Sequence, residues 1–186
     1  GQALAAPAAP AIDRTRLLER ERDPSVALQR SLLTDPPEPD HCEIVARYVA
    51  AVEIAQVGGD WHDSFLQQDG ATVLVIGDVV GHDTAAAAAM GQVRGLLRGI
   101  AWYSGVGPAD ILCAVDAAME GLLIRTTASA VVARIEQTDD ERERGVTHLR
   151  WSNAGHPPPM VINPDGSILV LSGVDADLLL GVEPQT

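Results

Sequence analysis

Basic residues, aromatics and cysteines are all scarce in this chain, and each shortage narrows what it can be. Thirteen Lys and Arg stand against 26 Asp and Glu, a formal charge of −13. No basic stripe is present to neutralise phosphates, which argues against nucleic acid as a partner. The same balance disfavours an anionic membrane surface. An acidic protein can still handle phosphate if metal ions supply the positive charge. Aromatics make up 3% of the residues, so the core must be built mostly from Val, Leu, Ile and Ala. The two cysteines, Cys42 and Cys113, form no disulfide framework and have no zinc-type spacing. They read as small buried side chains, and the chain fits a reducing cytoplasm. No apolar run approaches the roughly 20 residues that a membrane span needs. Gly1 to Pro10 is Ala/Pro-rich without a basic n-region, so it reads as a linker rather than a signal peptide. Triad spacing, a P-loop and a Rossmann glycine pattern are absent.

What is present fits one domain plus an extension: 186 residues, 46% of them apolar. Residues 1–40 read as a linker and a connector helix. That helix spans Asp13 to Leu33, with Leu17, Leu18, Leu28, Leu32 and Leu33 as its apolar positions, and Thr34 to Pro39 ends it. It suits a regulatory link to an upstream sensor, a seam pairing two protomers, or plain packing on the domain. The globular part covers 41–186. Glu43 to Val57 reads as a strand, rich in β-branched residues and Ala. Trp61 to Gln67 and Ala71 to Asp78 read as a hairpin. Asp83-Thr84 caps a helix over Ala85 to Trp102, and Gly107-Pro108 opens a second that runs to about Leu122. Strands return at Ala128–Glu136, Val146–Ser152, Met160–Ile162 and Ser167–Leu171, with Gln137 to Gly145 as a charged loop. Strands, two consecutive helices, then strands again predict an α+β domain, with antiparallel sheets and helices on an outer face.

The hairpin brings two acids together. Its loop, Gln68-Asp69-Gly70, ends in Gly, which accepts the left-handed conformation of a bulge turn. With Gln67 opposite Ala71, counting back along both strands sets Asp60 opposite Asp78, about 4.5–5.5 Å apart at Cβ. Two like charges so placed are destabilising unless compensated. A divalent cation is the natural compensator, because hard cations take carboxylate and carbonyl oxygens. Gly58-Gly59 before Asp60, and Gly77 and Gly81 around Asp78, let backbone approach a ligand closely. Asp63 falls on the other side of the pleat from Asp60, so a direct ligand role needs a bend; it reads as a ligand, as an acceptor supporting the metal site, or as a helix or loop cap. His82, beside Asp78, reads as a proton donor, a loop-ordering hydrogen bonder or a packing residue. Asp83 reads as a helix cap. His156, in the rigid loop Gly155-His156-Pro157-Pro158, either orients the site's backbone or packs beneath it.

These segments together resemble a known family. Val-Gly-Gly-Asp-Trp-His-Asp at 57–63, Gly-Asp-Val-Val-Gly-His at 77–82, Asn-Ala-Gly-His-Pro-Pro at 153–158 and Leu-Gly-Val at 180–182 stand in order. The lead-in Leu28 to Leu33 precedes them. In this they resemble the bacterial branch of the metal-dependent PPM phosphatases, the SpoIIE-type, protein phosphatase 2C-like domain. The resemblance implies an αββα sandwich of two antiparallel sheets flanked by helices. It implies Asp60 and Asp78 as catalytic metal ligands with the Val79 carbonyl beside them, and two Mn²⁺ or Mg²⁺ ions. A metal-activated water would then attack a phosphoserine or phosphothreonine. The implied substrate is a phosphorylated anti-sigma-factor antagonist in the bacterial cytoplasm, with a sensor domain upstream.

The sequence also departs from the family pattern. Such domains carry a Thr-Asp-Gly strand and a further Asp after the Leu-Gly-Val segment, and neither follows here. Either the sequence is cut short or the segment is naturally lost, and in both cases the expectation is a domain lacking its C-terminal strand or strands and part of its metal site. Asp83 stands where Gly is common. Two rival readings stay open: a pseudophosphatase acting as a signalling module, and a two-carboxylate hydrolase of another class such as a nuclease, which the acidic charge opposes.

Overall fold

The structure, a computed structural model, describes residues 34–47, 58–173 and 178–182. The hairpin closes on its glycine. Gly70 has φ +84°, its N–H donates to the Gln67 carbonyl at 3.0 Å, and Gln67 N–H donates to the Ala71 carbonyl at 2.9 Å. Strands β1 (Asp60–Leu66) and β2 (Thr72–Val79) then pair antiparallel, and Asp60 lies opposite Asp78. Strands β3 (Ala128–Glu136) and β4 (His148–Ala154) extend this to an antiparallel sheet of order β1-β2-β3-β4. Strands β5 (Met160–Ile162) and β6 (Ile168–Val170) form a separate hairpin across Asn163–Ser167.

One face of the four-stranded sheet carries the helices. Helix α1 (Thr84–Ser104) buries Ala86, Ala87, Met90, Val93, Leu97 and Ala101, a stripe at helical spacing. Asp83 caps it: its carboxylate accepts the Ala86 N–H at 2.8 Å, and its carbonyl accepts the Ala87 N–H. Gly105, left-handed, ends α1, and Pro108 starts helix α2 (Pro108–Gly121), which buries Ile111, Leu112, Val115 and Met119. These stripes meet Trp61, Phe65, Val73, Val75, Val79, Ala130 and Val132 from the sheet. Fully burying a Val, Leu or Met side chain is worth about 1.5–3 kcal/mol, so this layer holds the hairpin in place. Gln67 locks its closed end to the helices, donating from Nε2 to the Ala101 carbonyl at 2.8 Å.

The helix layer over an antiparallel sheet fits the expected sandwich. Several local expectations are corrected. The core is mostly Val, Leu, Ile and Ala, as expected, with Trp61 and Phe65 added at 2% and 5% exposure where they point at the helices. Cys113 is exposed on α2 rather than buried. Residues 43–47 form no strand; Ile44 to Arg47 instead border a cavity over β1 and β2. The rest of that expected strand, 48–57, and the connector helix 13–33 lie outside the described residues. The charged loop 137–145 contains a short helix, α3 (Asp139–Glu143). A reciprocal cap forms it: Thr138 Oγ1 accepts the Glu141 N–H at 3.3 Å, while Glu141 accepts the Thr138 N–H at 2.9 Å. Among the described residues no helix is long and apolar enough to cross a membrane.

Candidate metal centre

Alternation along β1 and β2 sorts the acids by face. Trp61, Asp63, Phe65, Val73 and Val75 turn to the helices, so Asp60, His62, Ile76 and Asp78 share the other face. Asp60 and Asp78 sit at the open end of the hairpin, both solvent-accessible. The backbone there is drawn tight. Val79 N–H donates to the Gly59 carbonyl at 3.1 Å. A Cβ on Gly59 would lie 1.9 Å from the Val79 carbonyl oxygen and 3.0 Å from Asp78 Oδ1. Only glycine lets that carbonyl and that carboxylate lie so close to the strand before Asp60.

The electrostatics match an unsatisfied pair. Partial burial, first, and the charge of Asp60 beside it push the Asp78 carboxyl above its ordinary range, while His156 draws it partly back. Burial holds the His156 imidazole below its usual value, against the pull of Asp78 and then Asp60. His156 is well anchored. Its backbone N–H donates to Asn153 Oδ1 at 2.8 Å, and Asn153 Nδ2 donates to its carbonyl at 2.7 Å. Its Nδ1 is 2.8 Å from Ser129 Oγ, and Ser129 pairs with Asp78 across β2 and β3. The loop after β4 therefore delivers an imidazole beside the two acids.

The other named residues fall elsewhere. Asp63 lies on the opposite face of the sheet from Asp60 and Asp78. It is buried on the helix side, 3.1 Å from Arg94 and 2.6 Å from Arg98 of α1, and it accepts a hydrogen bond from Thr34 Oγ1 at 3.0 Å. The pleat puts it there, and two arginines at helical spacing meet it. His82 is exposed in the turn between β2 and α1 and has no hydrogen-bond partner among the described residues. Asp83 is spent on its cap. Sequence reasoning missed Ser129, and it quoted Asn153 within a motif without giving it a role. Two helices separate β2 from β3, so no local turn signalled that Ser129 would stand level with Asp78.

The donor set of two carboxylates and the Val79 carbonyl suits a hard divalent cation, which keeps waters in its remaining positions. Among the described residues no group of three His, Cys, Asp or Glu side chains gathers as a metal cage.

The family model for stage II sporulation protein E, SpoIIE, matches residues 68–186, well over half of the sequence. The chain belongs to the SpoIIE family. A solved structure of the RsbU and RsbW domains of Rv1364c from Mycobacterium tuberculosis matches it at 34% identity and a TM-score of 0.57. That match covers 72% of the SpoIIE-type chain and 34% of the other, so the chain spans about a third of the length of that relative. Its fold is that of a SpoIIE-type, PPM phosphatase-like domain. The matched region holds Asp78, Val79, His82 and His156, and begins just after β1 and Asp60.

Proposed function

We propose that this SpoIIE-type domain is a metal-dependent phosphoserine/phosphothreonine protein phosphatase of the bacterial cytoplasm. Its substrate is a phosphorylated anti-sigma-factor antagonist. The observation that carries the reading is Asp60 set opposite Asp78 beside the Val79 carbonyl, within a SpoIIE-family chain. The RsbU and RsbW domains of the Mycobacterium tuberculosis relative support the sigma-factor setting.

Asp60, Asp78 and the Val79 carbonyl would hold Mn²⁺ or Mg²⁺. When bound, such an ion acidifies a water and offsets the charge of a phosphoryl group. The chain's own residues do the rest. Gly59 lets the Val79 carbonyl face the pair without a clash. Ser129 and Asn153 fix His156 beside Asp78, which keeps an imidazole at the phosphate's flank. Asp83 caps α1 and so fixes the turn that carries His82.

The test is hydrolysis of a phosphoserine peptide by the chain with Mn²⁺, with EDTA, and in Asp60→Asn and Asp78→Asn. Turnover that needs Mn²⁺ and falls in both variants supports the reading, and turnover indifferent to all three overturns it. A second reading, a pseudophosphatase that binds its partner without chemistry, is favoured because among the described residues no third His, Cys, Asp or Glu gathers with Asp60 and Asp78. Mn²⁺-independent binding of the phosphorylated partner without turnover would select it.

A further inference from the structure

Every basic residue of this chain is an arginine; there is no lysine. Most of the described arginines are already committed. Arg94 and Arg98 hold Asp63, Arg134 holds Asp69 and Glu136, Arg142 pairs with Asp40, and Arg150 pairs with Glu136. Arg144 turns back onto the Asp140 carbonyl. Arg47 and Arg125 have no carboxylate partner among the described residues, and their places differ. Arg125 lines a cavity beside α2. Arg47 lines a cavity of about 490 Å³ whose wall also holds Asp60 and His156. That cavity lies between residues 44–47 and the strands β1 and β2, so it opens on the acids' own face of the sheet.

An exposed arginine on the wall of a cavity that also holds Asp60 and His156 has a definite chemical use. Its guanidinium presents a planar fork that matches two non-bridging phosphate oxygens, and it stays charged at any working pH. A chain of charge −13 repels a dianionic phosphate on the whole, so an arginine with no carboxylate partner among the described residues carries weight beside the site. We infer that Arg47 anchors the phosphate group of the substrate in the cavity shared with Asp60 and His156. The inference rests on the phosphatase reading above and adds a binding residue to it. Arg47 would orient the phosphoryl group against the pair of acids from the side opposite the helices.

The experiment uses inorganic phosphate as the probe. Calorimetry first measures Mn²⁺ binding, then phosphate binding to the Mn²⁺-loaded chain, for wild type, Arg47→Ala, Arg47→Gln and Arg47→Lys. Circular dichroism checks each fold. Mn²⁺ affinity should stay within about twofold throughout, since Arg47 offers a cation no ligand. Phosphate affinity should fall about ten- to a hundredfold in the Ala and Gln variants, the scale of a charged hydrogen bond. Lys should restore part of it, keeping the charge but losing the fork. Equal phosphate affinity in wild type and Arg47→Ala, with Mn²⁺ bound in both, overturns the role of Arg47 alone. No Mn²⁺ binding by wild type overturns the phosphatase reading and this inference with it. If Arg47→Ala fails to fold, Gln and Lys decide the matter on the same readout.

Discussion

Asp78 makes the most sharply testable residue. Its carboxyl titrates above the ordinary 3.8 because burial and then Asp60 disfavour its charge. The folded chain thus binds that proton more tightly than the unfolded chain. The cost of the charge is absent below pH 3.8 and grows as pH rises through the folded pKa. Asp78→Asn removes it, so in EDTA the variant should melt above wild type at pH 7, and the gap should close below pH 3.8. Mn²⁺ should reverse the order, with affinity for the variant about 10–100-fold weaker or worse, at least the loss seen for supporting residues around metals. A variant melting below wild type in EDTA at pH 7 would show that the two acids do not repel. Asp63 predicts the opposite pattern. Its side chain is 1% exposed between Arg94 and Arg98, and removing one partner of a buried pair costs about 3–5 kcal/mol. Urea unfolding of Asp63→Ala should show that loss, while Mn²⁺ affinity of the folded fraction stays unchanged; a weaker Mn²⁺ affinity at unchanged stability would return Asp63 to the metal site. Strand alternation was enough to set Asp63 apart from Asp60. Its two arginine partners were not legible, because they come from α1, 31 and 35 residues further on, and only packing brings them there.

At the scale of elements, the readable signals were local ones. The Gln68-Asp69-Gly70 loop fixed the register of β1 and β2, and Asp83 and Gly107-Pro108 marked both helix starts. The Thr138-Asp139-Asp140-Glu141 cap was equally local, yet the charge of the surrounding loop hid it. Residues 43–47 misled for the reverse reason: a β-branched composition describes surfaces that pack as well as strands that pair. Where two strands must close on each other, the structure asks for more than propensity. Gly59 stands against the Val79 carbonyl with no room for a methyl group. Gly59→Ala should force β1 and β2 apart at their open end and cost about 1–3 kcal/mol, the usual cost of overpacking. Because the strain falls on the Val79 carbonyl and Asp78, Mn²⁺ affinity should drop with it. Paired melts with and without Mn²⁺ test this, and a variant with wild-type Mn²⁺ stabilisation would show that the close approach has no bearing on the site.

Over the whole molecule, charge was legible from composition alone, but its distribution was not. Among the described residues five arginines are held in ion pairs, and the net charge of −13 makes the long-range field negative. That field acts with opposite sign on the two species the site is proposed to hold. It gathers Mn²⁺ toward the edge and repels a phosphorylated peptide on approach. Both long-range effects fade as the Debye length shrinks, from about 10 Å at 0.1 M salt toward about 3 Å at 1 M. Raising NaCl should therefore weaken Mn²⁺ binding in calorimetry. In stopped-flow with a labelled phosphoserine peptide and saturating Mn²⁺, the association rate should rise over the same series, because screening removes repulsion before contact is made. The dissociation rate, set by contacts such as Arg47 within the cavity, should change less. An association rate that falls with salt would mean the approach is governed by a local positive patch rather than by the acidic whole. It would make the chain's excess of 13 negative charges irrelevant to how it meets its substrate.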